Sequence, residues 1–325
     1  MRIGVQPPTA GPQATPEFIL RFTELAERLG FDSVQITDHI VVPVEIESRY
    51  PYSSTGRMAA GPDDVYWEPL SLIAYLAGKT SRIRLGTSVL IAAYRHPVVT
   101  AKQLACLDAL SGGRIVIGMG VGWMAEEFRI MGAPPFDERG AATEEVVEIF
   151  RRIWRDQPAE FHGRYWSFSP IGAMPKPVQP GGIPIVLGGD SRPAIRRAAR
   201  IGDGWQPFKL PPDELRPRLG YLREQAQVHG RDLSSGFTLS LRLGLRLTAG
   251  RPAERRPREE PWQTLVGTAE QVAADLEAYH ALGVSEVVFD FRTCRQEEAI
   301  ESLRLAAEGL LPRVAQGEES ADQSG

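Results

Sequence analysis

The sequence predicts an α/β fold, a closed (β/α)8 TIM barrel with loop insertions at the carboxyl-terminal face of its strands. Three observations predict it. Short β-branched or aliphatic runs alternate with helix-period segments eight times; no change of composition is long enough to act as a linker; and 325 residues suit one barrel. Residues 1–312 are accordingly assigned to the barrel. Residues 313–325, which lack apolar anchors, are assigned to a disordered tail.

The elements follow in order. Residues 2–6 read as a strand, and Pro16 opens a helix in which Phe18, Phe22, Leu25, Ala26 and Leu29 recur at helical spacing before Gly30 stops it. A second strand spans 33–37. The Pro/Gly/Tyr-rich loop 40–66 is long enough to suggest function and leads into a helix that starts near Trp67-Glu68-Pro69. Then come a strand at 82–90, a helix from Pro97 to Leu110, a strand from Arg114 to Met119, a loop, and a helix at 140–155. Residues 157–183, with five prolines and four aromatic residues, read as a surface excursion carrying a small hairpin. The remaining strands are placed at 184–187, 204–206, 237–247 and 286–290, and the remaining helices at 192–201, 212–228, 268–281 and 296–310. The Arg/Pro/Glu-rich segment 250–261 reads as an exposed loop.

Composition narrows the function classes. A formal net charge of −4 gives no global basic footprint for nucleic acid, and no run of eighteen apolar residues spans a bilayer. A protein that handles small organic molecules is expected. Two cysteines, Cys106 and Cys294, make no disulfide framework, and Met1-Arg2 runs straight into the first strand without a signal-peptide core, so a cytoplasmic location is expected.

On a barrel, chemistry belongs to strand ends and the loops after them. Asp38-His39 ends the second strand, where an imidazole is placed to shuttle a proton or, with its neighbour, simply to cap a loop. In Gly118-Met119-Gly120-Val121-Gly122-Trp123, Trp123 stands where a dinucleotide fingerprint needs its third glycine, so a Rossmann reading fails. These glycines serve either a tight turn or the approach of a flat ring or a ribityl-like chain to the backbone. Gly188-Gly189-Asp190-Ser191 precedes a helix, where free N–H groups attract phosphate; the plainer reading is a turn with Ser191 as the cap. No metal site is expected, because the five histidines are scattered and no metal-ligand spacing occurs. There is no nucleophile elbow or Walker loop. Trp123, Trp166, Trp205 and Phe208 either line an apolar pocket or pack in core and loops.

Eight segments carry a resemblance. In order, Thr37-Asp38-His39, Leu85-Gly86-Thr87-Ser88-Val89, Ser111-Gly112-Gly113-Arg114, the 118–123 glycine loop, Lys176-Pro177-Val178-Gln179-Pro180, Gly188-Gly189, 199–205 and 267–272 resemble the bacterial luciferase-like superfamily. The chain is most similar to the branch of oxidoreductases that use the deazaflavin coenzyme F420, and the likeness extends to about residue 310. The resemblance implies a deazaflavin ring at the carboxyl ends of the strands and a non-prolyl cis peptide at Ser88-Val89. It puts Asp38 and His39 beside the ring, with His39 as the proton donor or acceptor for hydride transfer. Gly188 and Gly189 would lie at the phosphate, in agreement with the helix-start reading that adds Asp190 and Ser191 to the cofactor site, and Gly120, Gly122 and Glu126 in the flanking loop. It also implies a homodimer. FMN is the alternative cofactor, for a monooxygenase using oxygen, and a non-catalytic flavin- or deazaflavin-binding protein is the alternative of another class. Where the sugar-phosphate dehydrogenases of the family carry a Trp shortly after the Asp-His pair this chain has Pro43, and where they carry a Glu in the glycine loop it has Trp123. A larger apolar acceptor is therefore expected in place of a phosphorylated sugar.

Overall fold

Buried aliphatic runs flanked by helix starts organise the chain into strands that pair only in parallel around a ring. The computed structural model describes residues 1–58, 60–248, 264–292 and 294–314. The barrel strands are β1 (Arg2–Gln6), β2 (Ser33–Ile36), β3 (Arg84–Ile91) and β4 (Ile115–Gly120), then, after the antiparallel hairpin β5 (Ala159–His162) and β6 (Ser167–Ile171), β7 (Ile185–Gly188), β8 (Gly204–Gln206), β9 (Thr238–Leu247) and, beyond β10 (Thr264–Gly267), β11 (Glu286–Asp290). The order β9-β11-β1-β2-β3-β4-β7-β8 closes through a β8–β9 pairing, giving the eight-stranded parallel barrel that the alternation predicts.

Helices α1 (Pro16–Leu29), α2 (Pro69–Ala77) and α3 (Pro97–Ser111) all start on a proline, whose fixed φ suits the first turn and whose missing N–H would be unpaired there in any case. They are followed by α4 (Ala125–Ile130), α5 (Arg139–Arg155), α6 (Arg192–Ile201), α7 (Pro212–Val228), α8 (Ala269–His280) and α9 (Gln296–Leu305). The apolar faces pack onto the outside of the barrel; Phe22 on α1, for instance, meets Phe18 and Phe291 at ring-centroid distances of 5.9 and 5.8 Å.

Three features depart from the sequence reading. Helix α4 lies inside what reads as loop, because six residues are too few to display helical periodicity. Strand β10 adds in parallel to the outside of β9. The last helical stretch runs on through 311–314, so residues 313 and 314 are helical and not part of a tail, with Leu310 fully buried beneath them. Residues 315–325 and the predicted loop 250–261 lie outside the described residues.

The interior of the barrel top is polar. Fully or nearly buried Gln6, Gln35, Ser88, Gln206, Ser240 and Arg242 come from five strands, the last two both from β9, and meet in the middle. Gln206 ties them together, accepting from Ser88 Oγ at 2.7 Å and donating to Ser240 Oγ at 2.9 Å and Gln35 Oε1 at 3.3 Å. Such a network rigidifies the platform on which the loops stand.

Candidate active site

A cavity of about 480 Å³ opens at the carboxyl ends of the strands, over that polar floor. It brings together Asp38, His39, Ser88, Val89, Gly120, Gly122, Gly188, Gly189, Asp190 and Ser191, all singled out from sequence. Glu126 is not among its lining residues.

His39 is held by a residue that sequence reasoning missed. Its Nδ1 lies 2.6 Å from Oε2 of Glu127, whose side chain has no solvent exposure. The other oxygen of Glu127 accepts the N–H of Ile40 at 2.7 Å and of Val41 at 3.2 Å, so one carboxylate fixes both the ring and the loop that carries it. A carboxylate on Nδ1 favours the tautomer with its proton there and leaves Nε2 as the nitrogen available to the cavity. Edge-on contacts with Tyr66 at 5.0 Å and Trp123 at 6.0 Å complete the ring's surroundings. Glu127→Gln should move the 15N chemical shifts of His39 away from the Nδ1–H pattern, which two-dimensional NMR of labelled protein would read.

Asp38 does different work. It forms two 2.8 Å bonds to the Arg95 guanidinium and accepts the Ile91 N–H at 2.8 Å, lashing the end of β2 to the end of β3. The acid and imidazole adjacent in sequence are therefore not partners. Glu126 is also corrected: its carboxylate accepts the N–H groups of Glu47 at 3.0 Å and Ser48 at 3.1 Å, pinning the long loop instead of facing the cavity. That loop supplies Tyr50, Tyr52 and Tyr66 to the cavity wall. Burial, reinforced by the Asp190 carboxylate, pushes the Tyr52 hydroxyl up to about 12. Of the four aromatic residues singled out, Trp123 and Phe208 line the cavity. Trp205 is fully buried, its Nε1–H bonded to Gly189 O at 2.7 Å, and Trp166 packs against the core by the hairpin.

The back wall is shaped by Val89. The Ser88–Val89 peptide is cis, as the resemblance implies, and the β3–β4 register shifts across it. A Cβ on Gly120 would lie 2.5 Å from Val89 Cγ2, and one on Gly188 would lie 2.9 Å from Val89 Cγ1. Real side chains do not approach so closely, so both glycines exist to let this wall lie flat against whatever fills the cavity. Gly189, at φ +103°, turns the chain towards α6. There Ser191 caps the helix by accepting Ala194 N–H at 3.4 Å, and the Gly189 N–H goes to Gln206 O at 3.3 Å, so both the cap and the anion-ready turn are present. The N–H groups of Asp190, Ser191 and Arg192 make no hydrogen bond among the described residues, and these three are the ones left for an anion.

On the far side, Asp290 takes two bonds from Arg292, at 3.0 and 2.9 Å. Burial alone would raise its pKa, but Arg292 and then Arg242 hold it far below the ordinary carboxylate range. Among the described residues no helix is long and apolar enough to cross a membrane.

Comparison with known proteins identifies the family. A family model described as luciferase-like monooxygenase matches residues 1–259. An uncharacterized protein of Mycobacterium tuberculosis is 33% identical over 280 residues, covering 80% of this chain and 94% of its own. An F420-dependent glucose-6-phosphate dehydrogenase of Amycolatopsis mediterranei is 30% identical over 237 residues, covering 70% of this chain and 66% of its own. Among solved structures, monooxygenase RslO1 from Streptomyces bottropensis superposes with a TM-score of 0.76 at 24% identity, covering 97% of this chain and all of the other. With the family match spanning most of the barrel and a relative aligned over nearly its whole length, the chain belongs to the luciferase-like monooxygenase family.

Proposed function

We propose that this protein is an oxidoreductase that passes a hydride between coenzyme F420 and an organic small molecule, with His39 handling the coupled proton. The observation that carries the reading is the His39–Glu127 pair at the rim of a cavity with a flat, glycine-backed wall. The likeness to F420-dependent dehydrogenases supports the choice of cofactor.

The residues fit such a cofactor. Gly120 and Gly188 keep Val89 back and leave room for a planar ring, and the unbonded N–H groups at 190–192 suit its phosphate. Bound there, a deazaflavin supplies a carbon that gives or accepts hydride and, lacking the flavin nitrogen, is poorly suited to activating oxygen. The protein's part is orientation and a matched proton. Glu127 keeps a proton on Nδ1, so His39 works through Nε2, taking a proton from a substrate being oxidised or giving one to a substrate being reduced. Trp123, edge-on to His39 at 6.0 Å where the sugar-phosphate enzymes of the family carry a Glu, favours an apolar, unsaturated substrate over a phosphorylated sugar.

The test is to titrate the protein with F420 and, in parallel, FMN, and then to screen metabolites for oxidation of the reduced cofactor by its visible absorbance. F420 binding with turnover of an organic acceptor is the expected result. Selective FMN binding with oxygen consumption would return a monooxygenase, and tight binding without turnover a silent binding protein. Gly120→Ala checks the fit independently. Pushing Val89 into the cavity should weaken F420 at least about ten-fold in the same titration while costing about 1–3 kcal/mol of stability from overpacking.

A further inference from the structure

The floor of the cavity is rich in hydrogen-bond donors and short of acceptors. Arg242, reaching in from β9, is about 8% exposed and lines the cavity. Its Nη1 is engaged, donating to Ser88 O at 2.6 Å and lying 3.3 Å from both Ser88 Oγ and Gln6 Oε1. Its Nε is buried with no hydrogen-bond partner, Nη2 has none among the described residues, and the nearby Gln6 Nε2 is likewise buried without one. Leaving such donors unmatched in a buried site is costly, which makes the floor a place that a hydrogen-bond acceptor would stabilise.

Charge points the same way. The carboxylate of Asp290 is bonded twice to Arg292 and stands 3.9 Å from Arg242 Nε, so two guanidiniums share one carboxylate. One positive charge is left over. Phe208 covers one face of the Arg242 guanidinium, its ring centroid 4.1 Å from the central carbon, which leaves the edge of the group for a ligand. The nitrogens Nε and Nη2 form the fork that takes a planar oxyanion.

We propose that Arg242 is the centre of an oxyanion subsite in the floor of the cavity, taking a carboxylate or the enolate- or phenolate-type oxygen of an ionised ring. Burial, with Arg292 adding to it and Asp290 opposing, lowers the Arg242 guanidinium only to about 10, so the group is cationic at neutral pH. The proposal rests on the reading of the cavity as the reaction site, and it narrows the ligand. Either the substrate is an unsaturated acid, or the anionic end of the cofactor ring lies here.

Benzoate and benzamide, alike in shape and different in charge, are the probes. Calorimetry or ligand-observed NMR on the cofactor-free wild-type protein should find benzoate bound at least ten-fold more tightly. Equal binding overturns the subsite whatever the variants do. Arg242→Gln should erase the preference and Arg242→Lys, which keeps the charge without the fork, should cut it to a few-fold. An undiminished preference in either folded variant also overturns it. The lysine variant decides if the glutamine variant fails to fold. Repeating the wild-type comparison with F420 bound separates the two sources. A preference that survives assigns the subsite to substrate, and one that vanishes assigns it to the cofactor. Failure of both F420 and FMN to bind would sink the functional reading of the cavity while the cofactor-free comparison still decides the subsite.

Discussion

Asp38→Ala should destabilise the protein by about 3–5 kcal/mol, because it strips a buried guanidinium of its bidentate partner and orphans the Ile91 N–H. The Arg95 side chain is 14% exposed and that of Asp38 is fully buried, so little water is available to replace the lost bonds. Burial alone would lower the Arg95 pKa, yet Asp38 and Glu68 raise it above its ordinary value, the sign of a cation stabilised by its surroundings. Glu68, bonded to Arg95 Nη2 at 2.7 Å, remains in the variant and keeps the loss from being larger. Thermal unfolding should shift down by roughly 5–10 °C. Arg95→Met added to Asp38→Ala should cost less than the two changes summed, since it leaves no unpaired buried guanidinium, and Glu68, its side chain 34% exposed, keeps its bonds to the Leu70 and Ser71 N–H groups. A single Asp38→Ala that unfolds with the wild-type midpoint would show that the pair does no structural work.

Much of the barrel was legible because its strands are short, almost wholly buried aliphatic-rich runs in a parallel sheet and its helices announce themselves with prolines at their starts, as at Pro16, Pro69, Pro97 and Pro212. The strand-end rule then picked out residues that do meet in one cavity: His39, Ser88, Val89, Gly120, Gly122, Gly188 and Gly189. Glu127 escaped because it stands next to Glu126 on a six-residue helix, and only the helix's orientation decides which carboxylate turns to His39 and which to the long loop. Arg242 escaped for another reason. It lies in the middle of β9 and reaches the site across the barrel, so no strand-end rule selects it. Its signal was nonetheless in the sequence: charged or amide side chains such as Arg242, Gln35 and Gln206 set inside apolar strand runs have to meet partners in the interior.

His39→Asn should lower turnover of the acceptor found by the metabolite screen by roughly 10²–10⁴-fold, the range over which a positioned acid or base contributes, while F420 affinity changes by no more than a few-fold. Asparagine can still donate its amide N–H to Glu127, so the loop anchored by the Ile40 and Val41 N–H groups should keep its place. What it lacks is a nitrogen that gains and loses a proton. A purely structural histidine would behave differently, with loss of folding or of cofactor binding in proportion to loss of activity. The two are separated by measuring thermal unfolding, F420 affinity and single-turnover rate on one preparation. Wild-type turnover in a folded, cofactor-binding His39→Asn protein would remove the imidazole from the chemistry. The proton would then have to come from another group at the cavity, and Tyr66, whose ring packs edge-on against His39 at 5.0 Å and whose hydroxyl is bonded to Thr37 at 3.2 Å, is the first to test in that case, although burial raises its pKa and weakens it as a proton donor.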